Sequence, residues 1–499
     1  LLNWDFITPE KWYFEGCNAP AAHNYKDSVL YVCGNPSGAM SILYTDNPKR
    51  GDWKAVPSVL HDLQDPALFI DDDERAYMYW GSSNRWPIRG KELDMKNKFL
   101  PIAKKPDSLL FLRPDIHGWE RFGENHTSDI KPFIEGAWMT KHNGKYYLQY
   151  AAPGTQFNVY GDGVYVGKSP LGPFEYAAHN PFCYKPGGFA TGAGHGSTVC
   201  GPGGIYWHFG TIHLSINYKF ERRLCMFPTF FDEDGAMYSD TYFGDYPHYS
   251  PDQVSRQTTS GGFRGWMLLS YGKPVKASSQ LESYPVENVT DENLKTFWVA
   301  EKNDDKQWVE IDLEEVSDVY ALQLNFFDYE ETGFWGRMPN LRQRYLVEAS
   351  VDGARWRVLV DYRNSFRDAP HNYIELDQPI EARYIRYRHH YVPGKNLAMG
   401  DIRVFGLGRG KKPATVKGFT VVREADERNA RISWKSVKGA QGYNVLWGVA
   451  PDKLYSSWMV YGDNSLDLRA LTVGQKYYFA IESFNENGIS QRVFLREAH

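Results

Sequence analysis

The sequence predicts an all-β protein of several domains, and three observations lead to that prediction. The chain has 499 residues, more than a single hydrophobic core usually accommodates. It contains 45 Gly and 28 Pro, which separate short strands rich in aromatic residues. The aromatic fraction is 16%, with 16 Trp, 34 Tyr and 28 Phe. Aromatic residues favour strands, and this composition argues against a collagen-like or disordered chain.

Charge, hydropathy and cysteine content argue against nucleic acid binding, a membrane span and a zinc site. The 56 basic and 61 acidic side chains are interspersed and give a net charge of −5, which argues against nucleic acid binding. The sequence has no run of 18 apolar residues, so no membrane span is predicted. The 5 Cys are odd in number and match no zinc motif, and we interpret them as buried thiols. No signal peptide is visible at the N-terminus.

One pattern recurs four times in the first half of the chain. A polar residue near Pro or Gly opens an apolar strand, a polar turn follows, and an aromatic strand ends the unit. The copies open at Asn18, Asp65, Glu135 and His195, at intervals of about 50 to 70 residues. Each copy predicts a β-hairpin that cannot bury its own face, so the series indicates the blades of a β-propeller. A β-sandwich is the alternative.

The residues that open these repeats are the candidates for chemistry. The innermost strands of a propeller begin at one end of its central channel, so we expect these residues to converge. Two of them, Asp65 and Glu135, are carboxylates. In glycoside hydrolysis one carboxyl group protonates the leaving oxygen and another activates water. Turn capping before Pro66 is the alternative for Asp65, whereas Glu135 has no comparable structural role.

These motifs resemble glycoside hydrolase family 43, whose five-bladed β-propellers hydrolyse arabinose-, xylose- and galactose-containing glycans with inversion. The segment from Asp65, Asp-Pro-Ala-Leu-Phe-Ile-Asp-Asp-Asp, is similar to the motif whose aspartate orients the acid and tunes its pKa. The segment from Glu135, Glu-Gly-Ala-Trp-Met, is similar to the general-acid motif. His195, in Gly-His-Gly-Ser, falls where the family has an axial histidine near a calcium or sodium ion, bound directly or through water. Arg222 or its neighbour Arg223 matches the active-site arginine.

The family's general base lies on an Asp-Pro motif in the first blade. No segment of this sequence is assigned to that motif. Residues 18–22, Asn-Ala-Pro-Ala-Ala, resemble the second-blade motif, with Asn18 where Trp is usual. Residues 1–7 resemble the segment that closes the first blade. We therefore expect an incomplete first blade in this chain and a base aspartate upstream of Leu1.

Several side chains near the blade openings are predicted to bind substrate. Aromatic rings stack on sugars, although packing in the core is the alternative for each ring. The predicted substrate-binding residues are Asn18, Trp80, Trp86, Trp138, Phe189 and Arg222.

Two further β-sandwiches are predicted after a propeller domain that spans residues 1–266 and ends in a linker at 241–266. Residues 267–410 resemble a coagulation-factor-type C, or discoidin-like, domain that binds glycan or acts as a spacer. The resemblance implies a calcium-holding turn with Asp291, Asn293 and Thr296 as ligands. Residues 411–499 resemble a fibronectin type III domain, including its tyrosine corner, and are expected to act as a spacer.

The resemblance implies an exo-acting, inverting glycoside hydrolase of plant-type or other complex glycans. The first choice of activity is α-L-arabinofuranosidase, with β-xylosidase and galactosidase or galactofuranosidase as alternatives within the family. A non-catalytic glycan-binding propeller or an adhesion protein is the alternative class. The expected partner is an oligo- or polysaccharide. No cofactor is expected for the chemistry, and calcium is expected at the propeller axis and in the discoidin-like loop. The domain set implies a secreted, periplasmic or cell-surface protein.

Overall fold

The structure is a computed structural model, and its regular elements are β-strands and short 3₁₀ helices. It describes residues 18–26, 28–35, 39–40, 42–57, 60–61, 63–213, 222–250, 253, 262–327, 329–330 and 342–495. The 3₁₀ helices are Met95–Asn97, Gly118–Glu120, Glu124–His126, Pro202–Gly204 and Val286–Val289. Within these ranges no helix has the length and apolar character needed to cross a bilayer. The all-β prediction is confirmed for this part of the chain.

The first two large sheets are antiparallel and follow one another in sequence. The first has the order β1-β2-β4-β5, and β3 pairs with β6 beside it. The second has the order β10-β9-β8-β7, with β11 also paired to β9. Their strands are β1 (Asn18–Tyr25), β2 (Val29–Asn35), β3 (Ala39–Met40), β4 (Leu43–Thr45), β5 (Lys54–Ala55), β6 (Leu60–His61), β7 (Ala67–Ile70), β8 (Ala76–Trp80), β9 (Ile88–Asp94), β10 (Leu100–Pro101) and β11 (Asp107–Leu110).

The next two sheets are simple four-stranded meanders, in which each strand pairs with the next. Their strands are β12 (Glu135–His142), β13 (Lys145–Ala152), β14 (Gly161–Gly167), β15 (Phe174–Tyr176), β16 (Thr191–Cys200), β17 (Tyr206–His213), β18 (Arg223–Phe231) and β19 (Met237–Ser239). The turn between β12 and β13 shows why the chain reverses there. Asn143 and Gly144 both have left-handed φ angles, 47° and 74°. Asn-Gly is the pair that a tight hairpin turn of this kind favours.

The four predicted hairpins are present as β1-β2, β7-β8, β12-β13 and β16-β17. The first strands of the four sheets contact one another in turn, β1 with β7, β7 with β12 and β12 with β16. Strands β7 and β8 are buried along their whole length, as expected for strands enclosed by neighbouring blades. The start of each first strand therefore faces a common centre, which is the arrangement the repeats predict. The prediction of five blades extends to residues 1–17, which lie outside the described residues.

A single eight-stranded antiparallel arrangement follows the four sheets. Its central path is β20-β27-β23-β26-β24-β25, with β21 paired to β23 and β22 paired to β27. The strands are β20 (Met267–Leu268), β21 (Val275–Ala277), β22 (Trp298–Val299), β23 (Trp308–Phe326), β24 (Arg344–Ser350), β25 (Arg357–Asp361), β26 (His371–Tyr391) and β27 (Ala398–Leu407). The pairing between the long strands β23 and β26 is irregular after Asp312 and after Val319, and the strands bend there. These bends fold the sheet around an apolar core.

The last part of the chain forms two antiparallel sheets. One has the order β28-β29-β32, and the other has β31-β30-β33-β34 with β35 paired to β33. The strands are β28 (Lys417–Arg423), β29 (Ala430–Lys435), β30 (Gly442–Gly448), β31 (Ser456–Tyr461), β32 (Ser465–Leu468), β33 (Tyr478–Asn485), β34 (Gly488–Ile489) and β35 (Val493–Leu495).

The last two sheets, which are expected to act as a spacer, pack directly on the propeller. One apolar cluster includes Leu148 and Tyr184 of the propeller and Trp447 of β30. Around it, the Gly118 amide donates to the Leu471 carbonyl at 2.8 Å, and Arg121 Nη2 donates to Asn429 Oδ1 at 2.6 Å. Side chains of both units complete this core, and the role of the last unit as a spacer stays a prediction.

The segment predicted as a linker also has a packed interior. Phe243 and Tyr246 are almost fully buried, and the Phe243 ring stacks on Phe263 with 4.8 Å between ring centres. Phe405 and Phe484 join the same cluster, so it touches both later units. The described parts of 241–266 therefore pack against the eight-stranded unit and the last two sheets. Sequence composition suggested a linker because Gly, Ser and Thr dominate residues 257–262.

Three of the predicted buried thiols are as expected. Cys33, Cys183 and Cys225 are buried, and burial raises the pKa of Cys183 and Cys225. Cys200 is free but exposed, since it ends strand β16. Cys17 lies outside the described residues.

A buried acid where the propeller meets the last unit predicts a pH-dependent stability. Glu120 is fully buried, accepts hydrogen bonds from Tyr150 Oη and the Arg113 amide, and burial raises its pKa to about 8. The folded state thus holds a proton that the unfolded chain releases near its usual pKa of 4.5. This contribution to stability is complete below pH 4.5 and is lost as the pH rises towards 8, by about 1.4 kcal/mol per pH unit.

The measurement is the free energy of unfolding between pH 5 and pH 8 for the native chain and for Glu120→Gln. We expect the variant to lack this slope, because its carboxamide does not titrate and can accept from the Arg113 N–H while donating to Tyr150 Oη. Equal slopes in the two proteins would contradict a protonated Glu120.

Candidate active site

Three of the four residues that open the repeats meet at the centre of the propeller. Asp65 stands two residues before β7, Glu135 is the first residue of β12, and His195 lies within β16. One carboxylate oxygen of each acid and one ring nitrogen of the histidine all lie within 4.8 Å of one another. Asp65 is buried, whereas Glu135 and His195 are partly accessible. Two acids and an imidazole thus face one small space that solvent reaches.

The backbone around these residues is shaped to bring the strands close. Strand β12 has an irregular pairing with β13 between Glu135 and Trp138, which turns the Glu135 side chain out of the regular ladder. Gly136 has a φ of 64°, and a Cβ there would lie 3.0 Å from the His195 ring. Asp65 and His195 themselves have φ angles of 49° and 54°. Such left-handed conformations are costly for these residues and typically occur at functional sites.

Two hydroxyl groups hold the Glu135 carboxyl group. Ser82 Oγ donates to Oε2 at 2.9 Å, and Tyr160 Oη donates to Oε1 at 2.5 Å. Ser82 follows β8 on the neighbouring blade, and Tyr160 immediately precedes β14 on the same blade. Burial raises the pKa of Tyr160 well above its usual value, so this phenol stays protonated and remains a hydrogen-bond donor. The orientation of Glu135 is therefore fixed from two sides.

A buried aspartate fixes the backbone that carries His195. Asp162 on β14 is fully buried, and its carboxylate accepts hydrogen bonds from the His195 amide at 2.9 Å and the Gly196 amide at 2.8 Å. His208 Nε2 of β17 lies 2.9 Å from Asp162 Oδ2, without the alignment of a hydrogen bond. Asp162 thus stabilises the left-handed turn of the chain at His195.

Three of the rings predicted to form a sugar platform are buried. Trp80 packs in the apolar cluster between the first two sheets and is 8% exposed. Trp138 Nε1 donates to the Thr198 carbonyl at 3.0 Å, which turns this ring towards the next blade. Phe189 is 2% exposed and lies under the guanidinium of Arg403, 4.5 Å from the ring centre. These three placements correct the prediction, because each ring is committed to packing.

The fourth ring, Trp86, is exposed beside the site. Its exposed fraction is 63%, and its amide donates to Ser83 Oγ at 3.1 Å. It lines a hollow of about 90 Å³ together with Phe111 and Ile134. Ser83 and Ile134 are directly next to Ser82 and Glu135 in sequence, and they pair through two hydrogen bonds of 3.0 Å. The hollow therefore adjoins the acid cluster.

The two remaining predicted substrate-binding residues lie at the edge of the described structure. Arg222 is exposed, and its Nη1 donates to Thr155 Oγ1 in the loop after β13 at 2.9 Å. Its neighbour Arg223 begins β18 and donates to the Arg222 carbonyl. Asn18 is the first residue of β1, where its backbone pairs with Asn35, and its side chain lies outside the described structure.

The predicted calcium turn in the second unit is a compact loop. The Asp291 carboxylate accepts hydrogen bonds from the Asn293 amide at 3.0 Å and from Thr296 Oγ1 at 2.6 Å. Thr296 Oγ1 also lies 2.9 Å from the Asn293 carbonyl oxygen. Burial raises the pKa of Asp291. The three predicted residues are thus neighbours in space, and their oxygens are close together.

Ser82, Tyr160 and Asp162 were not predicted from the sequence. Asp162 had the clearest signal, because a lone acid stands among Gly161, Gly163 and Val164 at the start of a buried strand. Such an acid needs a specific partner, since an unpaired buried charge is costly. Ser82 and Tyr160 lie in unremarkable loop sequences, and only the fold shows their contact with Glu135.

Comparison with protein families agrees with this geometry. Residues 6–237 match the family described as Glycosyl hydrolases family 43. The chain contains a family 43 domain. Residues 274–399 match the F5/8 type C domain, which corresponds to the eight-stranded unit. All three central side chains, Asp65, Glu135 and His195, lie inside the family 43 domain.

Proteins similar to the family 43 domain include a beta-xylosidase and an arabinoxylan arabinofuranohydrolase. The chain is 33% identical over 133 residues to a beta-xylosidase of Xylanibacter ruminicola, which covers 22% of this chain and 39% of the relative. It is 30% identical over 189 residues to an arabinoxylan arabinofuranohydrolase of Bacillus subtilis (strain 168), which covers 33% of this chain and 34% of the relative. The chain thus spans about two fifths or less of the length of these relatives.

Solved structures include similar chains. A thermostable family-43 glycoside hydrolase is 20% identical, with a TM-score of 0.39, over 47% of this chain and 78% of that chain.

Proposed function

We propose that the protein is an exo-acting, inverting glycoside hydrolase, with α-L-arabinofuranosidase as the first choice and β-xylosidase as the alternative. The observation that supports this most is the meeting of Asp65, Glu135 and His195 within 4.8 Å, in a site that solvent reaches. The named relatives, a beta-xylosidase and an arabinoxylan arabinofuranohydrolase, support the choice of sugars. The substrate in this proposal is a xylan- or arabinoxylan-type glycan.

Glu135 is the proposed general acid, because it is the accessible carboxyl group whose orientation two hydroxyl groups fix. Asp65 is too close to Glu135 to act as the base of an inverting reaction. Inverting enzymes keep their two carboxyl groups about 6.5–9.5 Å apart, which leaves room for water. The oxygens of Asp65 and Glu135 approach within 4.8 Å. Asp65 is therefore proposed to orient the acid, and the base to be a third carboxylate outside the described residues.

Trp86 and Arg222 are the proposed contacts with the rest of the sugar. Trp86 presents an exposed ring in a hollow that Ile134, the neighbour of Glu135 in sequence, also lines, and such rings stack on the apolar faces of sugars. Arg222 is anchored to Thr155, in the loop that also leads to Tyr160, and supplies N–H donors for sugar hydroxyl groups.

A panel of nitrophenyl glycosides, with product configuration followed by NMR, tests the proposal. We expect turnover of the α-L-arabinofuranoside or the β-D-xyloside with inversion at the anomeric carbon. Retention would overturn the inverting assignment and make Asp65 the nucleophile, because retaining pairs lie about 5–5.5 Å apart. Glycan binding without any turnover would identify a non-catalytic glycan-binding propeller.

We also propose that the Asp291 turn holds a calcium ion. Besides Asp291, Asn293 and Thr296, the turn lies near Asp401, whose buried Oδ2 has no hydrogen-bond partner among the described residues. Burial raises the pKa of Asp401 well above its usual value, and the charges of Glu292 and Asp291 add to this shift. The buried Asp401, the partly exposed Asp291 and their oxygen-rich neighbours are a donor set that Ca²⁺ prefers. An axial ion near His195 also stays a proposal, and the approach of the His195 ring nitrogen to the Asp65 and Glu135 oxygens within 4.8 Å supports it.

Calcium removal is expected to lower the unfolding temperature of the F5/8 type C domain. A ligand that binds only the folded state stabilises it, so EDTA removes that stabilisation and added Ca²⁺ restores it. Differential scanning calorimetry of the full chain measures the effect, and Asp291→Asn should abolish the response. An unfolding temperature that is identical with EDTA and with Ca²⁺ would contradict the site.

The remaining proposals concern the architecture and the location. We propose five blades for the propeller, and a fibronectin type III-like fold for residues 411–499. The Thr472 amide donates to Tyr477 Oη at 3.2 Å, as in a tyrosine corner, which supports the second proposal. We propose a secreted, periplasmic or cell-surface location, because polymeric glycans are encountered there.

A further inference from the structure

A cleft of about 420 Å³ separates the family 43 domain from the F5/8 type C domain. One wall belongs to the propeller and carries Gln156, Asn158 and Thr191. The other wall belongs to the loop of the F5/8 type C domain and carries Asn293, Leu294 and Lys295. The proposed catalytic roles use none of these six residues, and Asn293 also belongs to the proposed calcium turn.

The propeller wall of the cleft is continuous with the active site. Strand β13 ends beside Glu135, since Ala151 pairs with it, and the loop that follows returns at Tyr160 to contact the acid. Asn158 stands two residues before Tyr160 in this loop, so their backbones are at most about 7 Å apart. Thr191 opens β16, the strand that carries His195. Both elements of this wall therefore begin at the catalytic side chains and end in the cleft.

The polar groups in the cleft suit a neutral carbohydrate. Among the described residues, the Gln156 carboxamide, the Thr191 hydroxyl and Asn293 Nδ2 have no hydrogen-bond partner. Amide and hydroxyl groups of this kind bind sugar hydroxyls as donors and acceptors. The charges cancel, because Lys295 Nζ pairs with Glu124 Oε1 across the cleft at 2.8 Å. A polyanion would meet no uncompensated positive charge there.

A buried ion cluster fixes both walls. Arg403 Nη2 and Nε donate to the two oxygens of Glu292 at 2.7 and 3.0 Å, and Glu292 leads directly into the loop at Asn293. Asp245 Oδ2 accepts the Phe189 amide at 2.6 Å and lies 3.4 Å from Lys185 Nζ, which holds the propeller wall. The four charged side chains are nearly inaccessible. Walls held in this way need little reordering on binding.

We propose that this cleft binds the part of a neutral polysaccharide that continues beyond the sugar held at Glu135. The F5/8 type C domain then supplies Asn293 and Lys295 to the same substrate site that the family 43 domain forms. The proposal rests on the proposed glycosidase function and adds a xylan-type chain as the ligand of the cleft.

The test compares a long and a short substrate in the full chain. Gln156→Ala and Asn293→Ala are expected to lower the ratio of kcat/KM on a xylohexaose, with or without an arabinofuranosyl branch, to kcat/KM on the matching nitrophenyl glycoside. We expect a fall of about three- to tenfold for each variant, as for the loss of one hydrogen bond. Gln378→Ala, an exposed amide on β26 of the same domain, is the matched control. An unchanged ratio in both variants would overturn the proposal.

A binding measurement separates this proposal from the proposed activity. Isothermal titration of the xylohexaose into Glu135→Gln, with and without Gln156→Ala, measures the cleft without turnover. We expect Gln156→Ala to raise Kd by the same factor, even if the nitrophenyl panel shows no hydrolysis. An equal Kd in the two proteins would overturn the cleft assignment, whatever the outcome of the panel.

Discussion

Glu135→Gln is expected to lower kcat on a xylo- or arabinoxylo-oligosaccharide by about 10²- to 10⁴-fold, the usual contribution of a general acid. The amide keeps the shape of the carboxyl group and contacts with Ser82 and Tyr160, but it has no proton to give to the leaving oxygen. The loss should be smaller on a nitrophenyl glycoside, because nitrophenolate departs with little protonation. Steady-state kinetics on both substrates measures this difference.

The control for this prediction is Glu175→Gln, an exposed carboxylate on β15 of the same blade. Its kinetics should equal those of the native chain, and both variants should keep the native unfolding temperature. Native turnover of the oligosaccharide by Glu135→Gln would remove Glu135 from the role of acid. A loss of the same size on both substrates would indicate a role in orientation instead of proton transfer.

Arg403→Met is expected to reduce the stability of the folded chain by about 3–5 kcal/mol, the usual cost of removing one partner from a buried ion pair. The change leaves Glu292 without its cation and removes hydrogen bonds to the Asp245 and Gln323 oxygens. Burial alone would raise the pKa of Asp245, yet Lys185 and Arg403 hold it lowered. The variant therefore also weakens the pairing of Asp245.

Calorimetry of the full chain measures this loss of stability. Two further variants test whether the loss comes from the buried ion pair. Arg409→Met removes an exposed cation from Asp318 and Glu381 and should change the unfolding temperature little. Arg403→Met combined with Glu292→Met should recover part of the loss, because no unpaired charge remains at this position. A single Arg403→Met variant that unfolds at the native temperature would show that the cluster does not stabilise the interface.

The hairpins of the propeller could be predicted from the sequence because their signals are local. Asn143-Gly144 and the alternating rings around it determine a turn and two strands within a few residues. Asp65 and Glu135 could be placed at one site because the repeats give them equivalent positions. The contacts of Ser82 and Tyr160 with Glu135 could not be predicted, because each depends on how two loops approach in space.

The rings were harder to place for the same reason. Phe189 follows Gly-Gly and resembles a loop residue near a blade opening, but Arg403, more than 200 residues away, covers it. Trp138 stands beside the acid in sequence and still turns its indole towards the next blade. Only the exposed Trp86 remains next to the site. Burial depends on all the neighbours of a residue, and in a multi-domain chain many of them come from distant sequence.

The apolar cluster shared by Leu148 and Trp447 limits how the chain can be divided. The three domains predicted from the sequence suggest three independent folding units, each of which could be cloned or recombined alone. A cut before residue 411 would instead expose one half of a common core on each fragment, and such surfaces aggregate. Shuffling of the last unit during evolution would need the propeller surface around Gly118 and Arg121 to travel with it. The propeller and the last unit are therefore expected to be exchanged together.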